Sequence, residues 1–351
     1  MSWASQKVHN LFRAGETALH ELEYLFWECT LRCNLCCGHC GSDCRTEASV
    51  PDMPVEDFLR ATRPWHHRAK PLFVAVTGGE PLMRRDLAEC GMRLREAGMR
   101  WGIVTNGMAY NRDAHFRLRD AGIESVTLSL DGTEEQHNRL RGNPLSYERV
   151  MQALDLLTAD DSLLHDVVTC VNPDNIDSLD EVYNNLLSHG CRNWRFFTIA
   201  PIGRAAAEDA GLLLSGEQLR RLMAFIERVR AEGRINARFS CEAYLGPHER
   251  TTKDWHFFCR AGINIASILV DGSISACPNI DRRMVQGNIY REEFERVWQE
   301  RFEVMRERDW MRNGPCAECR RWRDCRGGAM HLRTPSGTIK KCLYADMYGL
   351  K

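Results

Sequence analysis

Short apolar runs alternate with amphipathic stretches through the first two thirds of the chain. Six runs have the length and the β-branched or aromatic content of buried strands: Glu23–Glu28, Leu72–Thr77, Trp101–Thr105, Ser125–Leu130, Asp166–Val171 and Trp194–Ile199. Between and after them, apolar residues recur at helical spacing in Val55–Thr62, Arg85–Ala97, Asn111–Ala121, Tyr147–Leu157, Ile176–Ser188 and Gly216–Ala231. Such alternation makes a parallel sheet, its strands joined by right-handed crossovers. Six units predict an α/β fold, a partial (β/α)6 TIM-like barrel that stops short of closure. Beyond residue 235 the helices thin out and Cys, Gly and Pro punctuate short segments. Ser267–Cys277 predicts a hairpin around Asp271-Gly272. The expected division is an N-terminal segment over 1–22, the partial barrel over 23–235 and a cysteine-rich domain over 236–351.

Charge narrows the partners. In 351 residues, Lys+Arg is 47 and Asp+Glu 48, giving a net charge of −1. That balance argues against a nucleic-acid binder or a membrane-surface protein, either of which needs a basic excess. No run reaches the 18 or so apolar residues of a membrane span, and the N-terminus lacks the shape of a signal peptide. A cytoplasmic protein is expected.

The 16 cysteines change the picture most. Six lie between Cys29 and Cys44, and four between Cys316 and Cys342. A secreted disulfide scaffold would be short and signal-bearing, so tight clusters here read as metal or iron–sulfur ligands. In W-E-C-T-L-R-C-N-L-C-C-G-H-C, directly after the first strand, Cys33, Cys37 and Cys40 have C-x3-C-x2-C spacing. Cys29, Cys33 and Cys36 satisfy the same spacing, but Cys29 should still belong to the strand. Three thiolates on a four-iron cubane leave one iron open to a ligand, whereas a structural cluster takes four. Zinc, the alternative, favours paired C-x2-C knuckles with histidines.

With T-x-x-C-N-L-x-C-x-x-C at Thr30–Cys40, the chain resembles the radical SAM superfamily over nearly its whole length. The resemblance implies a 4Fe-4S cluster on Cys33, Cys37 and Cys40, and S-adenosylmethionine chelated to its open iron. It also implies reductive cleavage to a 5′-deoxyadenosyl radical and hydrogen abstraction from a substrate C–H. Gly78, Gly79, Glu80 and Pro81, after the second strand, look like the motif whose backbone and carboxylate hold the methionyl amino group. Asn106 ends the third strand near the cofactor. Ser129 and Asp131 end the fourth near the ribose, Arg141 could pair with the methionyl carboxylate, and Asn172 resembles an adenine-side contact. For each, the bland reading is a polar cap at a strand end or a solvated loop charge.

The C-terminal cysteines resemble the SPASM extension of that superfamily, which carries auxiliary iron–sulfur clusters. Cys316, Cys319, Cys325 and Cys342 would complete one cluster, with Arg320, Arg321, Arg323 and Arg326 either offsetting its charge or forming a solvated face balanced by Asp324 and Glu318. Cys259 and Cys277 would begin a second, with Cys241 as the best third ligand. Ala329 stands where the family has a further cysteine, so one or two auxiliary clusters are expected. Pro278 stands where anaerobic sulfatase maturases carry an Asp base, which argues against that activity.

The resemblance implies an anaerobic radical SAM enzyme that modifies a peptide or protein, supplied by a low-potential electron donor of flavodoxin or ferredoxin type. The uncharacterised subgroup associated with lipoprotein systems is the nearest in pattern. The alternatives are a small-metabolite enzyme, for instance on a haem-pathway intermediate, and a non-catalytic iron–sulfur carrier or sensor. About 22 residues precede the first predicted strand. Leader recognition is therefore expected from the core domains or from a separate partner.

Overall fold

The apolar runs become strands of one mixed sheet. The structure, a computed structural model, describes residues 3–207, 211–240 and 242–349. Strands β1 (Tyr24–Thr30), β2 (Phe73–Gly78), β3 (Arg100–Thr105), β4 (Ser125–Ser129), β5 (Leu164–Val171) and β6 (Asn193–Thr198) lie side by side in chain order, all parallel. Their helix-facing positions, among them Trp27, Val74, Trp101, Val126, Val167 and Trp194, are essentially buried. Helices α2 (Val55–Thr62), α3 (Leu87–Glu96), α4 (Arg112–Asp120), α6 (Ser146–Thr158), α7 (Leu179–Ser188) and α8 (Gly216–Glu232) each bury one face. Two further helices, α1 (Trp3–Leu19) and α5 (Glu134–Arg141), were not expected from the periodicity.

The sheet runs past the six expected strands at both ends. Strand β7 (Asn236–Phe239) begins one residue after the expected boundary at 235 and pairs parallel with β6. At the other end β8 (Ile265–Ile268) pairs parallel with β1. The expected hairpin follows: β9 (Ser273–Ser275) folds back antiparallel on β8, with Gly272 at a φ of +82°, and β10 (Gly287–Asn288) completes the edge. The cysteine-rich segment is thus hydrogen-bonded into the barrel sheet. Buried Glu28 on β1 reinforces the junction, accepting from Arg282 Nη2 at 2.7 Å and from the Val270 N–H at 3.1 Å. No helix among the described residues is long and apolar enough to cross a membrane.

Candidate active site and iron–sulfur centres

The loop after β1 is held by backbone contacts from three sides. Gly79 N–H donates to the Thr30 carbonyl at 2.8 Å and Glu80 N–H to that of Arg32 at 2.9 Å. A Cβ on Gly78 or Gly79 would collide with those same carbonyl oxygens, and Gly78 has a φ of +143°. The paired glycines are therefore required by the approach of one backbone to another, independently of any ligand. At the end of α5, the Leu140 carbonyl accepts from Gly38 N–H at 2.9 Å. From beyond β6, Arg204 donates to the carbonyls of Cys37 (2.7 Å) and Cys44 (3.1 Å).

So held, Cys33, Cys37 and Cys40 line one cavity of about 320 Å³ at the C-terminal ends of the strands. Cys29 is fully buried within β1 in the core, and burial pushes its thiol far up. Cys36 is exposed. The donor set suits a thiolate-held cluster. Arg141 Nη1 stands 3.7 Å from Cys37 Sγ, and Asn106 Nδ2 stands 3.7 Å from Cys33 Sγ, placing donors against the sulfurs. Burial pushes Cys33 up to about 11, while hydrogen bonding from Cys44 holds Cys40 well below the ordinary thiol range.

Gly78, Gly79, Asn106, Ser129 and Arg141 share the cavity wall with the triad. Four other anticipated residues stand behind it. Glu80 is fully buried and its carboxylate already accepts three hydrogen bonds: Oε1 from Thr105 Oγ1 (2.8 Å) and Leu82 N–H (3.1 Å), Oε2 from Asn106 N–H (2.7 Å). Burial pushes its pKa up against those donors. Pro81 opens the short turn that follows. Asp131 accepts from Arg141 Nε at 2.7 Å and from Cys170 N–H at 2.8 Å, so the two residues expected to face different parts of the cofactor pair with each other. Asn172 caps its own loop, accepting from Asp174 N–H at 2.9 Å.

The C-terminal segment supplies a wall that no motif announced. Asn279, His331 and Glu242 reach the same cavity. Glu242 Oε2 accepts from Thr198 N–H (2.8 Å) and Oγ1 (2.9 Å), and burial pushes its pKa up to about 7. His331 is held down to about 4 by burial, so its imidazole is neutral at neutral pH. His39, in the cysteine loop, is likewise lowered to about 4 by burial. Its Nδ1 is buried without a partner among the described residues. Glu242 lies in the S-C-E-A-Y-L-G segment, where the cysteine drew attention from the acid beside it.

Cys316, Cys319, Cys325 and Cys342 converge on a second, small enclosure. Arg333, 3% exposed, donates to Cys316 Sγ at 3.0 Å and otherwise to the carbonyls of Gly327, Met311 and Gly337. It is the buried cation at this site. Arg321, among the arginines expected there, lines the same enclosure and packs on Tyr344. Cys259 is buried beside a separate cavity next to α1, and Cys277 is half-buried in the loop after β9, its carbonyl accepting from Ser275 Oγ at 3.1 Å. Cys241 lies outside the described residues.

Comparison with known proteins agrees with this geometry. Residues 27–186 match the radical SAM superfamily, and residues 259–320 match the SPASM iron–sulfur cluster-binding domain. The chain is 28% identical over 337 residues to the mycofactocin maturase MftC of Mycolicibacterium smegmatis, covering 95% of this chain and 84% of that one. It is 23% identical over 350 residues to the AdoMet-dependent heme synthase of Oleidesulfovibrio alaskensis, covering 94% and 88%. Among solved structures, anSMEcpe with bound AdoMet superposes with a TM-score of 0.71 at 16% identity, over 93% of this chain and 94% of that one. SuiB of Streptococcus suis bound to S-adenosylmethionine gives 0.68 at 17% identity, over 89% and 74%. A radical SAM domain with its 4Fe-4S cluster and S-adenosylmethionine, followed by a SPASM domain for auxiliary clusters, makes this chain a radical SAM enzyme of the SPASM type.

Proposed function

We propose that the substrate is a peptide or protein segment, modified after translation at an unactivated carbon. The observation that carries this reading is the state of the cavity's two arginines. Arg141 is paired with buried Asp131, and Arg204 with Asp43 at 2.7 Å as well as with two loop carbonyls. A tetrapyrrole would bring several carboxylates into a wall whose cations are already committed. What the wall offers besides is polar: Ser129, Asn106, Thr198, Asn279 and the uncharged His331, with Glu242, pushed up to about 7, as its acid. Such groups suit the N–H and C=O of a peptide backbone, and a cleft between domains admits an extended chain. Likeness to the mycofactocin maturase over 95% of the chain supports the same reading.

Within it, Cys33, Cys37 and Cys40 hold the cluster. Gly78, Gly79, Asn106, Ser129 and Arg141 surround the cofactor's methionyl and ribose ends. When bound, the cluster and S-adenosylmethionine supply hydrogen-abstracting radical chemistry, fed by a low-potential electron donor. The chain itself orders the target carbon and excludes water, with Asn279 and His331 contributing to the cavity wall from the C-terminal domain.

Likeness to the heme synthases favours the competing reading, a haem-pathway intermediate. Anaerobically reconstituted enzyme, incubated with peptides deuterated at candidate carbons, should move deuterium into 5′-deoxyadenosine and change the peptide mass. Deuterium transfer from a tetrapyrrole propionate, with none from any peptide, replaces the peptide reading.

A further inference from the structure

A second cavity is larger than the active one. About 730 Å³ opens between α1 and the C-terminal domain, where α1 is tied down by His9 on the Phe257 carbonyl and Arg13 on those of Arg323 and Asp324. Three guanidiniums line it without a carboxylate ion pair among the described residues. Arg13 bonds the carbonyls of Arg323 and Asp324 and the Asn10 side-chain oxygen. Arg306 bonds the carbonyls of Gly262, Trp298 and Gln299. Arg308, 4% exposed, bonds those of Met305, Cys259 and Gly328. A guanidinium has five N–H donors, so each retains unspent capacity. Burial, with Arg326 and Arg308 nearby, holds Arg13 down to about 10, and burial alone holds Arg306 down to about 10. A second observation is independent of charge: Asn10, on the same wall, has its Nδ2 buried without a partner.

Arg308 is buried and Arg13 and Arg306 are half-buried, and cations so placed without a paired carboxylate favour an anionic occupant. Of the cysteine quartet only Cys325 also lines this cavity, whereas Arg13, Arg306 and Arg308 stand outside the quartet's own enclosure, where Arg333 serves. The rim carries exposed Glu300, Glu303 and Glu307. A compact polyanion would meet those acids, whereas an extended chain can place carboxylates inward and other residues at the rim.

We propose that this cavity docks an acidic segment of the peptide substrate, away from the residues that react. The proposal rests on the peptide reading above. It gives the enzyme two-point recognition, in which docking raises the effective concentration of the target residue at the active cavity. Specificity would then sit in the acidic segment, leaving the active cavity tolerant of sequence around the modified carbon.

The test is fluorescence anisotropy with a fluorescein-labelled dodecapeptide of alternating Glu and Gly, on the cluster-loaded enzyme without S-adenosylmethionine. Saturable binding is expected, weakening with salt and falling about tenfold or more in Arg13→Glu and in Arg323→Glu. Arg323 is exposed, so that variant does not threaten the fold. Hydrogen exchange should show protection of α1 when the probe is bound. No binding, equal binding by both variants, protection confined to the active cavity, or displacement by millimolar citrate would each overturn the proposal. Failure of the two readings is separable. Probe binding without modification of any peptide sinks the peptide substrate alone, while modified peptides with an unchanged KM in Arg13→Glu sink the docking site alone.

Discussion

Glu80→Gln separates two roles for the acid of the glycine turn. If its carboxylate held the methionyl amino group directly, the substitution would weaken S-adenosylmethionine binding and leave the fold alone. The geometry gives the carboxylate to Thr105, Leu82 and Asn106 instead. A glutamine can keep one oxygen for two of these donors, but its NH₂ then faces the Asn106 N–H. One charge-assisted bond is lost, worth roughly 1.5–3 kcal/mol, and a buried donor is left unpaired. We expect a loss of about 2–4 kcal/mol in stability, because the site is fully buried and no water can repair it. Asn106 would shift with it, and Asn106 Nδ2 contacts both Asn34 Oδ1 (2.8 Å) and Cys33 Sγ (3.7 Å), so cofactor affinity falls as a consequence. Thr105→Val, which removes one donor to the carboxylate and the acceptor of the Gly107 N–H while keeping the charge, should cost about 1–3 kcal/mol. The assay is anaerobic urea denaturation followed by tryptophan fluorescence, beside equilibrium binding of S-adenosylmethionine. A Glu80→Gln protein of unchanged stability that no longer binds S-adenosylmethionine would refute the reasoning.

Three further outcomes follow. His137 is fully buried, with Nδ1 accepting from the Asp131 N–H at 3.0 Å and Nε2 against Ser146 Oγ at 2.9 Å, and burial, then Arg141, holds it down to about 3. The unfolded chain binds this proton near pH 6.5 and the folded one near 3, so stability is complete above 6.5. It falls by up to roughly 1.4 kcal/mol per pH unit as pH drops through that window. Urea midpoints between pH 7.5 and 4.5 should slope less in His137→Gln, and parallel slopes would count against it. Cys29→Ala should cost about 1–2 kcal/mol of core packing and leave iron content and S-adenosylmethionine cleavage intact, whereas Cys37→Ala should lose about four irons per chain; iron assay and chromatography of 5′-deoxyadenosine decide. Arg333→Met should lower the reduction potential of the cluster on the Cys316 quartet, since it removes a positive charge and an N–H···S bond, with Arg333→Lys partly restoring it. Potentiometric titration followed by electron paramagnetic resonance reads the shift.

The parallel strands were legible because buried strands are near-continuous apolar runs, and those of β1 to β6 stand out from their polar surroundings. Helix α5 was not, because Glu134–Arg141 is polar on every side and has no apolar period to read. Its signals were capping ones: Thr133 and Gln136 form a reciprocal box, and Gly142 closes the helix in the left-handed region. Helix α1 is fixed by distant carbonyls, and β7 is only four residues long. The cysteine triad was legible in spacing because its members are neighbours in sequence. The partners of Glu80, Asp131 and Arg333 were not, since a strand-end motif names the residue and leaves open which way its side chain turns. Glu242 and His331 reach the cavity from the far end of the chain, where no local pattern marks them.

Strand β1 has a ladder on both sides, β2 on one and β8 on the other, with Tyr24 opposite Ile265 and Trp27 opposite Ile268. Its second neighbour is synthesised only after most of the chain has left the ribosome. Until then the strand that presents the cysteine loop is an open template, apolar along its helix-facing side and with half its backbone groups unpaired. A shortened protein ending near residue 235 would keep that state permanently, and aggregation would follow from edge pairing even if every barrel residue were present. The C-terminal iron–sulfur domain therefore acts as the barrel's own selvedge. Exchanging it between relatives means recutting the sheet at β8 and its register with β1, so a graft at the apparent linker would fray.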